Sequence, residues 1–310
     1  MTVQQRTFAG KADLQAMSDL SHRFPRENLH LTDLPYRLSS WGLDEVENIG
    51  LWQDGSGELT GWAVLQTPFW SMDYAYDPGL HAQMHPRILT WADERARQAL
   101  SHPSGRPSWF VNVFDRQTER MVDLEAAGYV NQDNAGEDAW SKVFMTMPSQ
   151  VPTHPVPGLP KGFQLRPLAG QQEVGAYVEL HRLAFGTENM TEAWRRRVLM
   201  RQEYKPELDL VVEAPDGRLA AFCVGWFDPV GRAGRPEGQI EPMGVRVEYR
   251  GLGLGRAILG ECLRGLRALG AGQIWVETDN FRDAAMGLYE AAGFQVVEKV
   301  LVYRKDYAPL

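Results

Sequence analysis

Cysteine is nearly absent from this sequence: its 310 residues include only two, Cys223 and Cys262. Neither belongs to the paired spacing that is typical of disulfide frameworks or cysteine-rich zinc sites. Both have apolar neighbours, which favours buried free thiols. No cysteine or serine stands in the setting of an activated nucleophile, so a covalent acyl-enzyme is not expected.

Long apolar runs and an excess of positive charge are missing as well. No run approaches the roughly 18 apolar residues of a membrane helix, and the first residues contain no apolar signal segment. We therefore expect a cytoplasmic protein without a membrane partner. Acidic residues outnumber basic ones by 40 to 32, which argues against a nucleic-acid partner because phosphate contacts need a basic face.

The chain is long enough for two domains, and proline marks where they meet. Its length is about twice that of a typical domain. Residues 148–162 read PSQVPTHPVPGLPKG, which is typical of an extended linker because proline donates no hydrogen bond and disfavours helix before it. We predict a first domain at 1–147, a linker at 148–162 and a second domain at 163–310.

Apolar patterns in the second half predict a mixed α/β fold. Helices are predicted near 171–184 and 191–199, after residue 255, and over 283–292. Strands are predicted in FQLRPL, on both sides of the turn at 215–217, in IEPMGVRV and in QIWVET, with a closing pair of strands in FQVVEKVLVYRKDY.

Two short motifs of the first half recur in the second half at nearly the same distance. LEAAGYV begins at Leu124, and YEAAGFQV begins at Tyr289, 165 residues later. The turn that begins at Asp54 resembles the one that begins at Asp216, 162 residues later. Two matches in the same order and with similar offsets predict a duplicated domain.

Three glycines stand at alternate positions directly before a predicted helix, in the stretch RGLGLGRA from Arg250 to Ala257. Three glycines within five residues indicate positions at which a side chain would not fit. A Walker loop would need Gly-Lys-Ser/Thr here, and a dinucleotide fingerprint would need its third glycine where Arg256 stands, so both are excluded. What remains is a run of main-chain N–H groups that leads into a helix N-terminus, which favours an anion such as a diphosphate.

The stretch from Val245 to Ala257 resembles the signature of the GNAT superfamily of acetyl-CoA-dependent N-acetyltransferases, an Arg/Gln-x-x-Gly-x-Gly/Ala loop that cradles the CoA pyrophosphate. Arg250, Gly253 and Gly255 match its fixed positions. Residues 288–294 resemble the second signature of the family, and the doubled sequence is similar to its tandem members. The resemblance implies two acetyltransferase-like domains, each with a central mixed, mostly antiparallel sheet flanked by helices.

The resemblance also implies acetyl-CoA as co-substrate, no metal, and a set of cofactor-binding residues. Main-chain groups from Met243 to Val245 would face the thioester carbonyl, and those of Val245 and Val247 would pair with the pantetheine arm. Asn280 stands nine residues before Tyr289, whereas the family often has an asparagine seven residues before it, so a longer turn would have to bring it to the pantetheine. The implied cofactor-binding residues are Met243, Gly244, Val245, Val247, Arg250, Gly251, Gly253, Leu254, Gly255, Arg256 and Asn280.

Two residues would carry the implied chemistry. Tyr289 matches the family tyrosine beside the CoA sulfur and would donate a proton to the departing thiolate; a packed core aromatic is the alternative. Glu241 would take a proton from the substrate ammonium, directly or through water. For Glu241, a solvent-exposed strand carboxylate without a catalytic role is an equally weighted alternative. Glu237 and the main chain are further candidates for the base.

The predicted reaction is direct transfer of an acetyl group to a primary amine of a small molecule or peptide; the alternative is a non-catalytic acyl-CoA-binding or regulatory module. The acceptor pocket is expected near His181, Phe185 and Trp194, although each is more often a core or surface residue. A polyamine, an aminoglycoside-like drug, an amino acid and a peptide stay open as acceptors, and so do a monomer and a homodimer. Mycothiol synthesis, known among tandem members, fits this sequence poorly because the family carboxylate near Gln239 is missing.

The first half has no counterpart of the glycine segment. Gly79 stands alone there, and His85-Pro86-Arg87 is expected to open the following helix. We expect this half to keep the fold, to have lost cofactor binding and to shape the acceptor cleft. His81 and His85 have the i, i+4 spacing of zinc ligands, but because no third ligand or acidic partner lies nearby in the sequence, no metal is expected.

Overall fold

The computed structural model describes residues 2–148 and 158–307, and the chain divides into two compact units. The first unit is Met1–Lys142 with Glu298–Leu310, and the second is Val143–Val297. Each is a mixed sheet flanked by helices, which confirms the predicted fold class. Most of the predicted linker, residues 149–157, lies outside the described residues, so the linker and the domain boundaries stay predictions.

Helices cover both faces of the sheet in the first unit. Trp62 and Val64 pack with α1, whereas their neighbours Ala63 and Leu65 pack with α3, because successive side chains of a strand point to opposite faces. The strands are β1 (Gln4–Arg6), β2 (Ile49–Gln53), β3 (Leu59–Gln66), β4 (Ser71–Tyr76), β5 (Ser108–Phe114), β6 (Val130–Asn131) and the later part of β13 (Gln295–Asp306); the helices are α1 (Lys11–Arg23), α2 (Leu34–Arg37), α3 (His81–Ala99) and α4 (Thr118–Ala126). The strand order is β1-β2-β3-β4-β5-β13, and β6 also pairs with β13.

The second unit has the same two-sided arrangement. Cys223 packs in the core beneath α7, whereas its neighbour Phe222 contacts rings of α5. The helices are α5 (Val174–Phe185), α6 (Glu192–Leu199), α7 (Leu254–Ala268) and α8 (Asp283–Ala292); the strands are β7 (Lys142–Pro148), β8 (Gln164–Pro167), β9 (Asp209–Glu213), β10 (Leu219–Asp228), β11 (Glu237–Val245) and β12 (Gln273–Asp279). Their order is β7-β12-β11-β10-β9-β8.

The two units repeat one series of elements, as the recurring motifs predict. The hairpin β2–β3, the strand β4, the helix α3, the strand β5 and the helix α4 correspond in order to β9–β10, β11, α7, β12 and α8. Leu124 lies on α4 and Tyr289 on α8. A glycine in the left-handed region follows each of these helices, Gly128 with φ 85° and Gly293 with φ 102°.

The predicted closing pair of strands is wrong: residues 295–306 form one strand, β13. It pairs antiparallel with β5 from Val300 opposite Phe114 to Asp306 opposite Ser108. These twelve residues contain no glycine, proline or asparagine at which a tight turn would form, so the chain stays extended.

The predicted start of the helix after Gly79 is also wrong. Helix α3 begins at His81, and Pro86 lies inside it. Asp77 caps the short turn that leads into it by accepting a hydrogen bond from the Gly79 N–H at 2.9 Å. Pro86 is tolerated because its missing N–H removes only one hydrogen bond near the start of the helix.

Both cysteines are buried and free, as predicted. No helix within residues 2–148 and 158–307 combines the length and the apolar character that crossing a membrane requires.

A buried ion pair ties α6 to β9 in the second unit. The Arg195 guanidinium donates to the Asp209 carboxylate, and both side chains are fully buried. The Tyr204 hydroxyl donates to the same carboxylate at 2.6 Å, and the guanidinium lies 3.6 Å from the centre of the Tyr177 ring. A buried pair of this kind contributes little net stability, but each charge depends on the other.

We expect Arg195→Met to lower the free energy of unfolding by about 3–5 kcal/mol, because it leaves the Asp209 carboxylate buried without its counterion. Arg196→Met is the matched control on the same helix, since Arg196 is exposed and pairs only with surface groups; it should change stability by less than about 0.5 kcal/mol. Urea unfolding of the full chain measures both. Equal effects of the two substitutions would contradict the expectation.

Candidate active site

Strand β11 leaves its parallel neighbour after the first third of its length. It pairs with β12 only from Glu237 opposite Gln273 to Gln239 opposite Trp275. On its other side β11 stays paired with β10 up to Val245. The sheet therefore opens beyond Gln239, and among residues 2–148 and 158–307 no strand pairs with this edge of β11.

The open edge presents main-chain groups of Met243 and Val245. Arg246 N donates to Ala220 O at 2.9 Å, so in the antiparallel ladder Arg246 and Gly244 direct their main-chain groups towards β10. Met243 and Val245, which alternate with them, direct theirs into the opening. The structure thus places two predicted main-chain contacts on one side of the opening.

A bulge separates the paired and the open parts of β11. Between the pairs Gly225–Ile240 and Cys223–Met243, one residue of β10 faces two residues of β11, Glu241 and Pro242. A bulge bends the strand and redirects its side chains. The Trp226 Nε1–H donates to the Glu241 carbonyl at 2.6 Å and holds the bulge; the sequence interpretation did not single out this tryptophan.

Glycine is required at Gly244 because Phe222 lies against it. A Cβ on Gly244 would lie 2.7 Å from Phe222 Cε1 and 3.0 Å from Ala184 Cβ. The close approach keeps β11 against the aromatic side chains below it.

The glycine segment forms the turn into α7, as predicted. Gly251 and Gly253 both have φ +79°, a conformation that favours glycine, and a Cβ on either would meet no atom within 4 Å. The space in front of this backbone is therefore open. Leu254, Gly255 and Arg256 begin α7, so their N–H groups have no acceptor within the helix.

The donor set at this turn fits a diphosphate. Three main-chain N–H groups and the positive end of the α7 dipole face the same open space. A Cβ on Gly255 would lie 3.6 Å from Met243 Cε and Val245 Cγ2, so the helix N-terminus adjoins the open edge of β11. A ligand with a diphosphate and an extended arm could occupy both features.

The two arginines that flank the glycines have different environments. Arg250 donates from Nε to Val245 O at 3.2 Å and from Nη2 to Ala184 O at 2.9 Å, so it braces the turn against β11 and α5. Arg256 is exposed and makes no hydrogen bond or ion pair with the residues that the structure describes. Its charge is available to an anion at the N-terminus of α7.

Tyr289 is a buried residue of α8 with 8% of its surface exposed. Its ring lies edge-on to Phe294, with the ring centres 5.8 Å apart. Burial raises the pKa of its hydroxyl, and the nearby Cys223 and Glu241 groups raise it further. Over residues 2–148 and 158–307 we find no hydrogen-bond partner for this hydroxyl, which stays protonated and can act as a donor but not as a base.

Glu241 lies half-buried in the bulge, and its charge contributes to the raised pKa values of Tyr289 and Tyr177. Glu237, the reserve for the base, is engaged elsewhere: it is buried, accepts from Arg232 Nη1 at 2.6 Å and accepts from Trp275 Nε1 at 3.0 Å. It holds the loop between β10 and β11 and is not free to take a substrate proton.

The remaining cofactor predictions concern exposed positions. Val247 lies just beyond β11 with 61% of its surface exposed. Asn280 is exposed in the turn after β12, which Arg282 braces through an ion pair with Asp279 at 2.7 Å. Their contacts with a cofactor stay predictions.

Three residues predicted near the acceptor lie at different depths. Trp194 is buried in the core, with 1% exposed, so it does not line an open pocket. Phe185 is half-buried, and its ring centre lies 4.7 Å from that of His181. His181 is buried and stacks on Phe222 with centres 5.5 Å apart. Burial, aided by two arginines, lowers its pKa to about 3.

The first unit contains a partner that the sequence interpretation missed. Asp123 on α4 lies 3.2 Å from His81 Nε2 and 2.9 Å from His85 Nδ1. Asp123 is 38 residues from His85 in sequence, and the only signal for their proximity is the correspondence between α4 and α8. The premise that the two histidines lack an acidic partner is therefore wrong.

Comparison with known proteins gives concordant results. The sequence profile described as Acetyltransferase (GNAT) family matches residues 176–294. A mycothiol acetyltransferase of Kineococcus radiotolerans is 37% identical over 148 residues, 45% of each chain. One of Nocardiopsis dassonvillei is 30% identical over 233 residues, 72% of this chain and 66% of that protein. This chain thus spans about half to two thirds of the length of these curated relatives.

A solved structure has the same fold along the whole chain. It is a tandem GNAT protein from the clavulanic acid biosynthesis pathway, with a TM-score of 0.63, 14% identity and 100% of both chains covered.

We expect His181 to make the stability of the protein depend on pH. Its pKa falls from 6.5 in the unfolded chain to about 3 in the fold, so between these values the unfolded state binds a proton that the folded state does not. Stability is then fully present above pH 6.5 and decreases as the pH falls towards 3.

The test compares the wild type with His181→Phe, which keeps a ring in the aromatic cluster. From pH 6.5 to pH 5 the wild type should lose about 2 kcal/mol more unfolding free energy than the variant. Urea titrations at several pH values measure the difference. Parallel pH profiles for the two proteins would contradict the expectation.

Proposed function

We propose that the second unit binds acetyl-CoA and transfers the acetyl group directly to a primary amine of a small molecule or peptide. The chain belongs to the GNAT superfamily as a tandem member, which supports this proposal. The observation that carries the proposal is the junction between two features: the open edge of β11 and the glycine-lined N-terminus of α7. Each binds a different part of one extended ligand.

Binding rests on main-chain groups. The N–H groups of Leu254, Gly255 and Arg256 would hold the pyrophosphate, with Arg256 supplying charge. The main-chain groups of Val245 would pair with the pantetheine arm along the edge that β12 leaves open. Gly251 and Gly253 keep that space clear, because a side chain at either position would stand in front of the backbone.

Acetyl-CoA supplies an activated acyl group, and its thiolate is the leaving group. The Met243 N–H at the open edge would hold the thioester carbonyl, where negative charge develops during transfer. Tyr289 would donate its proton to the leaving sulfur, since its raised pKa keeps the hydroxyl protonated. Glu241, half-buried in the bulge beside the opening, would receive the proton of the substrate ammonium.

The similarity to mycothiol acetyltransferases favours a mycothiol-related amine as the first acceptor to test. The missing carboxylate at Gln239 argued against it, but only 1% of Gln239 is exposed. A side chain so deeply buried does not meet an acceptor, so its identity does not decide between acceptors. Among His181, Phe185 and Trp194, only Phe185 is exposed enough to contact one.

The first unit would keep the fold without binding the cofactor. The turn before α3 contains one glycine, Gly79, where the turn before α7 contains two with positive φ. Beside β4, side chains of α3 and α4 contact one another, with Asp123 2.9 Å from His85 Nδ1. One acetyl-CoA per chain is the expected stoichiometry.

Gly253→Ala should weaken acetyl-CoA binding at least about 10-fold, because a Cβ strains the left-handed turn that presents the helix N-terminus. Gly270→Ala is the matched control at the other end of the same helix, with φ +93° and equally open surroundings. Calorimetry should give one site in the wild type and in the control. Equal weakening by both substitutions, or two sites per chain, would refute this binding mode.

Tyr289→Phe should lower kcat at least about 100-fold while the affinity for acetyl-CoA changes little, because only the proton donor is lost. Tyr129→Phe, a buried tyrosine in the corresponding repeat of the first unit, is the control. The assay measures thiol release from acetyl-CoA with a panel of amines that includes a mycothiol precursor. An unchanged kcat would make Tyr289 a core aromatic. A wild type that binds acetyl-CoA but turns over no amine would favour the non-catalytic module.

A further inference from the structure

A compact group of metal-binding side chains lies in the first unit, where no function is assigned. His81 and His85 lie on α3 and Asp123 on α4, and one potential ligand atom from each lies within 4.8 Å of the other two. We propose that these three residues form a binding site for one divalent transition-metal ion of the zinc class. The proposal does not depend on the activity proposed for the second unit.

The ligand atoms have the separations that such an ion needs. Zinc–nitrogen and zinc–oxygen bonds of about 2.0–2.1 Å in a tetrahedron put neighbouring ligand atoms about 3.3 Å apart. Asp123 Oδ2 lies 3.2 Å from His81 Nε2 and 2.9 Å from His85 Nδ1. Closing the third side of the triangle requires a side-chain movement on the order of 1 Å.

Two tyrosines orient the imidazole rings for this purpose. The Tyr76 hydroxyl lies 2.7 Å from His81 Nδ1, and the Tyr74 hydroxyl lies 3.2 Å from His85 Nε2. Each ring thus has one nitrogen held by a phenol and the other directed at Asp123. Metal-binding histidines are commonly fixed in this way through the nitrogen that does not bind the ion.

The charge of the surroundings favours a cation. Within residues 2–148 and 158–307, the guanidinium beside this group is that of Arg120, which donates to the Tyr76 hydroxyl at 3.0 Å. Arg120 also faces Glu27, with its Nη2 3.7 Å from the Glu27 carboxylate and its Nη1 3.1 Å from the Glu27 carbonyl. Glu27 offsets the arginine charge, which leaves the Asp123 carboxylate to balance an incoming ion.

The group is accessible from one side. His85 is fully buried, whereas 29% of the Asp123 side chain and 19% of that of His81 are exposed. Asp123 lines an open groove of about 470 Å³ beside α3 and α4, together with Asp93, Glu94 and Lys305, of which Lys305 is ion-paired with Asp93. The groove provides an entry path, and three protein ligands leave a coordination position free for water.

Metal binding at this group would need a change of tautomer. An imidazole binds a metal through an unprotonated nitrogen, so an ion at His81 Nε2 and His85 Nδ1 would place each ring proton on the other nitrogen. There the Tyr76 and Tyr74 hydroxyl oxygens lie within reach to accept it.

The full-length chain, stripped with a chelator and then titrated with Zn²⁺ against a chromogenic chelating indicator, tests the proposal. We expect one equivalent of Zn²⁺ per chain. His81→Gln and Asp123→Asn should each weaken binding at least about 10-fold. Both side chains are partly exposed, so these variants should fold, which circular dichroism checks. Co²⁺ substitution should give visible absorption of a four-coordinate site in the wild type and not in the variants.

His30→Gln is the control, because His30 pairs with Asp33 at 2.9 Å in the same unit but has no second histidine beside it. Its Zn²⁺ affinity should equal that of the wild type. Absence of bound Zn²⁺ in the wild type, or the same affinity in the two ligand variants and the control, would overturn the proposal. The Asp123 contacts would then be a hydrogen-bonded structural group.

Discussion

The early end of the pairing between β11 and β12 is the constraint on which the candidate site depends. Main-chain N–H and C=O groups need partners, and beyond Gln239 those on one side of β11 have no neighbouring strand. The bulge at Glu241 and Pro242 bends the strand just there, while Trp226 and Phe222 hold its other side against the unit. The main-chain edge at Met243 and Val245, where Arg250 reaches only the Val245 carbonyl, is thus a property of the sheet, and α7 begins beside it.

The first unit has the same divergence but fills it differently. Strand β4 pairs with β5 at Ser71 opposite Phe110 alone, so its later residues also lack a parallel neighbour. There the stacked rings of Tyr74 and Tyr76, with ring centres 6.0 Å apart, lie against the histidines of α3. The two units thus share an order of elements and differ in what lies beside the diverging strand: polar aromatic side chains in the first unit and glycine backbone with open surroundings in the second.

How far the sequence predicts the structure depends on the range of the interactions. The turn at Gly253 and the start of α7 after it follow from a few neighbouring residues, and the glycine motif reveals them. The partners of Glu237 and Asp123 come from other elements. Trp275 is 38 residues from Glu237, and no local pattern indicates that the carboxylate is engaged. The sequence analysis divided β13 into two strands because the alternation of apolar and polar residues in this segment fits one strand or two. The segment contains no residue that favours a tight turn, which agrees with the single strand observed.

Burial of Tyr289 determines which role in acyl transfer the residue suits. A phenol with a raised pKa stays protonated, so it does not act as a base. In water it is also a weak proton donor towards an ordinary thiolate, because the corresponding thiol has a pKa near 8.5. The apolar surroundings that raise the pKa of the phenol would raise that of a sulfur beside it too, because both anions lose solvation. Donor and acceptor would then be closer in proton affinity than they are in water. The proton would therefore leave Tyr289 only when the departing sulfur has gained its charge.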